Sequence, residues 1–228
     1  MAHILCIETA TKVCSVAVVL DGELVALRED DPDQYSHAEK INLFIAEAMD
    51  SAGIGFADLD AVAVSEGPGS YTGLRIGVST AKGFAYAHNI PIVAVGTLEA
   101  LAHHAADGKT SSLFIPMLDA RRMEVFAAGF DGDGNSVFGT RAEILTADSF
   151  PEASEYASVY VLGDGADKAE EWAELRGFIH LRDRRASAAH MCIPAQKKFE
   201  QEAFVDTAYF EPFYLKNFAV GKKKKNRP

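Results

Sequence analysis

Leu59-Asp60-Ala61-Val62-Ala63-Val64-Ser65-Glu66-Gly67-Pro68-Gly69-Ser70-Tyr71-Thr72-Gly73-Leu74-Arg75-Ile76-Gly77 is the stretch whose reading decides the fold. Its first six residues form a short apolar, β-branched run of strand type. From Leu74 to about His88 the pattern is helical. The glycines therefore stand where a strand turns into a helix. Gly67 and Gly69 flank Pro68, whose ring fixes its own φ, so the chain can reverse tightly. Ser70 or Thr72 can cap the helix through a side-chain oxygen. The first-turn N–H groups of such a helix attract anions. Spacing alone does not make a phosphate loop, and a tight turn is the ordinary meaning of such a string. No Gly-Lys-Ser/Thr follows, and Thr72 stands where a dinucleotide fingerprint has its third glycine.

Upstream, Ile4 to Ile7 reads as a strand, Glu8 to Lys12 as a polar turn and Val13 to Leu20 as a second strand. Asp21-Gly22 is a hairpin turn, and Glu23 to Arg28 a third strand. After a polar segment from Asp30 to Tyr35, Ser36 and Glu39 form a capping box for a helix over 36–52. Its apolar face is Ala38, Ile41, Ile45, Ala48, Met49 and Ala52, and Gly53 stops it. Downstream, the second helix carries Gly73, Gly77, Ala81 and Ala85 at four-residue spacing. Small residues in line let another backbone approach, either the chain's own sheet or a partner helix. Asn89 and Pro91 end that helix, Ile92 to Val95 is a strand, and Thr97 caps a helix through Leu98, Leu101 and Ala105.

The second half repeats the order. Leu113 to Leu118 is a strand, Asp119 to Arg122 a polar turn, Glu124 to Phe130 a second strand and Arg141 to Leu145 a third. Val159 to Leu162 is a strand ending in Gly163-Asp164-Gly165. A helix over 167–175, a strand over 178–181 and a helix over 186–199 follow. The loose repeat of one order, with a hairpin turn and a strand–glycine–helix turn in each half, predicts an α/β fold of two related lobes. The boundaries read from it are an N-terminal lobe over 1–107 and a C-terminal lobe over 108–199. A segment over 200–220 returns to pack on the lobes, and 221–228 is a disordered basic tail.

The 228 residues, 48% of them hydrophobic, suffice for a sizeable core. The formal net charge is −11; with the five basic charges of Lys222–Lys225 and Arg227 set aside, the rest carries −16. A body that acidic does not hold nucleic acid by itself. No apolar run reaches the roughly 20 residues of a membrane span, and the N-terminus enters strand pattern without a basic signal region. Cys6, Cys14 and Cys192 lack metal spacing and read as buried thiols of a cytoplasmic protein. Asp131-Gly132-Asp133-Gly134-Asn135 imitates a calcium loop, but Ser136 replaces its glycine and Ala142 its closing glutamate. His103 and His104 point about 100° apart on a helix and do not share a metal easily.

Four strings carry a resemblance. Ile4-Leu5-Cys6-Ile7-Glu8-Thr9-Ala10-Thr11 with Cys14-Ser15-Val16-Ala17 is similar to the opening of the TsaB (YeaZ) family. The glycine string over 67–77 resembles that family's most specific motif, and Asp119-Ala120-Arg121-Arg122-Met123-Glu124-Val125 its second-lobe turn. Pro212-Phe213-Tyr214-Leu215-Lys216 resembles its C-terminal signature. Glu8 stands for the more usual Asp, and Lys216 for the usual Arg. The resemblance covers the whole chain in order. It implies two ribonuclease-H-like lobes of the acetate kinase–sugar kinase–Hsp70–actin superfamily. It also implies a role in threonylcarbamoyl modification of adenosine beside the tRNA anticodon, with a catalytic paralogue, TsaD, and an ATPase, TsaE. The catalytic paralogue carries two metal-binding histidines where this chain has Thr97 and Leu101, so that metal site is absent.

Two functions follow. In the first, the chain is a non-catalytic subunit that dimerises with TsaD, recruits TsaE and meets tRNA through the complex, or forms a homodimer when TsaD is absent. Its partner face is then Ile41, Ile45, Tyr71, Gly73, Arg75, Gly77, Ala81 and Ala85. ATP or ADP at the interface of the complex is the one cofactor left open; no catalytic or metal residue is assigned. In the second, the chain is an ATP-dependent phosphotransferase, with Glu8, Thr9, Thr11, Gly67 and Gly69 about the nucleotide. Glu8 and Asp119 are its candidate acids. Two arginines in the second turn argue against a phosphate cradle of small residues.

Overall fold

The computed structural model describes residues 1–30, 37–106 and 108–216. The expected cap at Ser36, the polar segment before it, the boundary at 107 and the tail over 221–228 lie outside those residues. Two mixed sheets are built by the same route. In the first, β1 (His3–Glu8), β2 (Cys14–Leu20) and β3 (Glu23–Asp30) form an antiparallel meander. β4 (Ala61–Gly67) joins β1 in parallel, and β5 (Ile92–Gly96) joins β4. The order is β3-β2-β1-β4-β5, with a two-residue β11 (Phe204–Val205) added antiparallel at the β5 edge. In the second sheet β6 (Ser112–Asp119), β7 (Glu124–Asp131) and β8 (Ser136–Ile144) are the meander. β9 (Ser158–Leu162) and β10 (Ile179–Leu181) follow in parallel, giving β8-β7-β6-β9-β10. One strand order built twice is the duplication expected of the ribonuclease-H-like lobes.

Both faces of the first sheet are covered along β1, β2, β4 and β5, so these strands read as nearly unbroken apolar runs, whereas the edge strand β3 is largely exposed. Leu5, Ile7, Val16 and Val18 face α1 (His37–Ala52) and α2 (Tyr71–His88). Ile41, Ile45, Ala48 and Met49 are the buried face of α1, whereas Ala38, expected on that face, is exposed. The alternate set, Ile4, Cys6, Ala17 and Val19, faces Ala188 and Met191 of a 3-10 turn, with Cys192 and Ala195 of α6 (Cys192–Glu200). The helix expected over 186–199 thus begins at Cys192, and it packs on the first sheet although the boundary at 199 assigns it to the second lobe. The reverse holds for α3 (Thr97–Ala105): Leu98, Leu101 and Ala102 pack on Phe114, Leu118 and Phe130 of the second sheet. Its N-cap is Gly96, and Glu99 Oε2 accepts the Gly96 N–H at 3.2 Å; Thr97, expected as the cap, is inside the helix and buried. The helix expected over 167–175 is two short pieces, α4 (Asp164–Asp167) and α5 (Glu170–Leu175). Among the described residues no helix is long and apolar enough to cross a membrane.

Candidate functional site

The glycine turn is built by close approach between α2 and the turn that follows β1. Ser70 is the cap: its Oγ accepts the Gly73 N–H at 3.2 Å. The Ser70 N–H donates to the Ala10 carbonyl at 2.6 Å, and Thr9 Oγ1 donates to the Gly73 carbonyl at 2.8 Å. A Cβ on Gly69 would lie 2.3 Å from the Ala10 carbonyl oxygen, and one on Gly73 2.1 Å from that of Thr9. On Gly77 it would lie 2.3 Å from Thr9 Oγ1. These glycines make room for the chain's own backbone. Gly67, at φ +112° before a cis Pro68, is covered by the Phe213 carbonyl.

The strap over 206–216 supplies that cover. The Phe213 N–H donates to the Glu66 carbonyl at 2.7 Å, and Lys82 Nζ donates to the Ala208 carbonyl at 3.0 Å. Arg75 Nε donates to Tyr214 Oη at 3.1 Å, the guanidinium lies 4.3 Å above the Tyr71 ring, and the Tyr71 and Tyr214 rings sit 4.9 Å apart. Lys216 then reaches the second lobe, pairing with Glu124 and lying over Phe126.

Between the lobes lies a cleft of about 770 Å³. Thr11, Gly69, Tyr71 and Gly73 line one wall, Asp119, Arg121 and Asp164 the other, and Tyr214 to Lys216 its mouth. The Asp119 N–H donates to Asp164 Oδ1 at 3.0 Å, while Asp119 Oδ1 accepts the Arg121 N–H at 2.8 Å and pairs with Lys168. Burial raises the Asp164 carboxyl, and the Asp119 charge adds to that; the Asp119 N–H, Arg185 and the Gly165 N–H oppose it. His37 Nε2–H donates to the Thr11 carbonyl at 2.8 Å, and burial lowers its pKa. Sequence reasoning did not assign His37, Asp164 or the strap to the site. The Gly163-Asp164-Gly165 turn was the available signal for Asp164.

Glu8 does not reach this cleft. It is 1% exposed; Oε1 accepts the Ala10 N–H at 2.6 Å, and Oε2 is without a partner among the described residues. Burial pushes its carboxyl up to about 7, against the Ala10 N–H, Ser65 and the Thr9 N–H. Thr9 is likewise buried and spent on Gly73. Of the five residues expected about a nucleotide, Thr11 and Gly69 line the cleft; Glu8, Thr9 and Gly67 do not.

The expected partner face is corrected too. Ile41, Ile45, Gly73, Gly77, Ala81 and Ala85 are buried against the chain's own first sheet and its turn. Arg75 is exposed and Tyr71 half-buried, both tied to Tyr214. The outward side of the helix pair carries Leu43 at 55% and Tyr86 at 85% exposure. Asp131 closes its own turn by accepting the N–H groups of Asp133 at 3.0 Å and Asn135 at 2.8 Å. The His104 ring stacks 3.9 Å from that of His190. Among the described residues no three His, Cys, Asp or Glu are grouped to hold a metal.

A family model described as "TsaD: tRNA N6-adenosine threonylcarbamoyltransferase" matches residues 33–183. The tRNA threonylcarbamoyladenosine biosynthesis protein TsaB of Escherichia coli (strain K12) is 31% identical over 97% of this chain and 97% of its own. Among solved structures, YeaZ from Pseudomonas aeruginosa superposes with a TM-score of 0.78 at 23% identity, over 94% of this chain and 100% of that one. The activator of the 2-hydroxyisocaproyl-CoA dehydratase from Clostridium difficile, solved with bound ADPNP, gives a TM-score of 0.52 at 8% identity, over 88% of this chain and 96% of its own. It shares the fold alone. The duplicated sheets, the glycine turn packed under a C-terminal strap and this likeness along nearly the full length agree: the chain belongs to the TsaB (YeaZ) family.

Proposed function

We propose that the chain is the non-catalytic partner subunit in threonylcarbamoyl modification of adenosine beside the tRNA anticodon. Family membership supports the pathway. One observation carries the rest: Thr97 and Leu101, where the catalytic paralogue has metal-binding histidines, are each 1% exposed in the packing of α3. Neither is a metal ligand of use, and neither faces solvent. The glycines of the motif serve internal packing: a Cβ on Gly69, Gly73 or Gly77 would run into the Thr9–Ala10 turn. Its partner is the TsaD subunit, met by the outward side of α1 and α2 about Leu43 and Tyr86. TsaE joins the pair, tRNA is reached through it, and without TsaD the same side forms a homodimer in the cytoplasm.

The phosphotransferase reading needs an acid at the cleft. Glu8 is sealed beneath it, Asp119 is paired with Lys168, and Asp164 accepts the Asp119 N–H. Reconstitution separates the two. The chain is mixed with TsaD, TsaE and the enzyme that makes threonylcarbamoyl-adenylate, all from one source, with tRNA, ATP, bicarbonate and threonine. Modified adenosine formed only in the presence of the chain is the expected result. Equal product without it would overturn the partner reading.

A further inference from the structure

We propose that a second cavity, which shares only Phe213 of the strap with the cleft, binds a free α-amino acid with an apolar side chain, its ammonium group at Glu66 and its carboxylate at Lys197. Such a site does not depend on the partner reading. The cavity has a volume of about 670 Å³. Glu66 is the next-to-last residue of β4 and Gly96 the last of β5; these strands are parallel neighbours, and both residues line the cavity. Open α/β sheets take their ligands just beyond the carboxyl ends of such strands. The opposite side comes from the second sheet, through Asn135 of the β7–β8 turn and Ser136 and Thr140 of β8. Two lobes therefore enclose this space as they do the cleft.

The charges at this cavity decide the class of ligand. Glu99 and Lys198 satisfy each other at 2.8 Å, and Lys198 Nζ also donates to the Ala94 carbonyl at 2.9 Å. Glu66 and Lys197 are left. Among the described residues neither side chain makes a hydrogen bond or an ion pair, with the other or with anything else. Lys197 is exposed, whereas Glu66 is half-buried. Burial raises the Glu66 carboxyl; Lys198 opposes that and Glu99 adds to it. A Cβ on Gly96 would lie 3.4 Å from Glu99 Oε2 and 3.9 Å from Glu66 Oε1, so two carboxylates flank one point of the backbone. An ammonium group placed there gives Glu66 the hydrogen bonds that the protein does not, and relieves the repulsion. A simple cation would meet Lys197 as well, and a simple anion would meet Glu66. A zwitterion satisfies both, and α-amino acids carry the two charges on one carbon with the side chain free. That side chain finds Leu98 and the Phe213 ring, 44% exposed, along the same wall. The Phe213 N–H is already fixed on the Glu66 carbonyl at 2.7 Å, which holds acid and ring together.

The test is an NMR chemical-shift titration of the full chain with L-phenylalanine and three simpler probes. Phenethylamine lacks the carboxylate, 3-phenylpropionate lacks the ammonium group, and glycine keeps both charges without a side chain. Phenylalanine is expected to bind saturably, and each simpler probe at least about tenfold more weakly. Glu66→Gln should weaken phenylalanine at least about tenfold and leave 3-phenylpropionate unchanged. Lys197→Met should weaken phenylalanine and leave phenethylamine unchanged. The unchanged probe in each case shows that the variant is folded and its cavity intact. Absence of saturable shifts with phenylalanine would overturn the site. Equal affinity for phenylalanine and 3-phenylpropionate would overturn the role of Glu66, and equal affinity for phenylalanine and glycine the apolar wall. Shifts confined to the cleft, at Thr11 and Asp119, would place the ligand there instead and overturn the second cavity.

Discussion

Within α2, one substitution has opposite consequences ten residues apart. Gly73→Ala drives a methyl to 2.1 Å from the Thr9 carbonyl, and backbone there cannot swing away. A loss of about 1–3 kcal/mol is expected. Gly77→Ala meets Thr9 Oγ1, a side-chain atom that can turn aside at the cost of its bond to the Gly73 carbonyl, so a smaller loss is expected. Gly83→Ala meets nothing within 4 Å on an exposed helical surface and should gain up to about 1 kcal/mol. Urea midpoints of the three variants check the order. Glu8 gives a pH signature. Its folded pKa of about 7 lies above the ordinary 4.5, so the folded state holds the proton more tightly. Stability is therefore fullest below pH 4.5 and falls as pH rises to 7, by up to about 3 kcal/mol. Glu8→Gln removes that titration, so its denaturation midpoint should move up relative to wild type across this window; a constant gap would mean Glu8 is ionised in the fold. Sequence placed these residues at the right turn but not on the right side of it. A four-residue stripe of small side chains fits an inward or an outward face equally well, and the distance to Thr9 spans 64 positions.

Among the elements, strands and hairpins were legible because their signals are local. Asp21 and Gly22 take φ 48° and 82°, the pair of left-handed residues a two-residue hairpin demands. Helix destinations were not legible. Nothing in the sequence of α3 or α6 says that each packs across the boundary between lobes, because an amphipathic face names no partner. The strap was visible as a signature without a position. Its bonds to Glu66, Arg75 and Tyr71 set the expectation for its removal. A chain ending at residue 205 should show faster amide exchange over 67–75 than over α1, read by hydrogen–deuterium exchange mass spectrometry. Uniform exchange in both helices would mean that the strap does not hold the glycine turn.

For the whole molecule, association is the property to measure. The outward side of the helix pair keeps Leu43 and Tyr86 exposed, while the residues beneath are committed to the core. Leu43→Glu with Tyr86→Glu should abolish binding to TsaD, and self-association, with little change in melting temperature, as seen by sedimentation velocity beside calorimetry. Undiminished binding would place the interface elsewhere. A bulky residue at Gly77 would be a poor probe, since it damages the monomer first. The crossed helices also bear on synthesis. The five long strands of the first sheet are complete by residue 96, yet the floor under Ile4, Cys6 and Val19 arrives with residues 188–195, and the cover of the glycine turn with the strap. The amino-terminal half must therefore emerge from the ribosome with one apolar face bare, and its burial waits until residues 188–195 have been made.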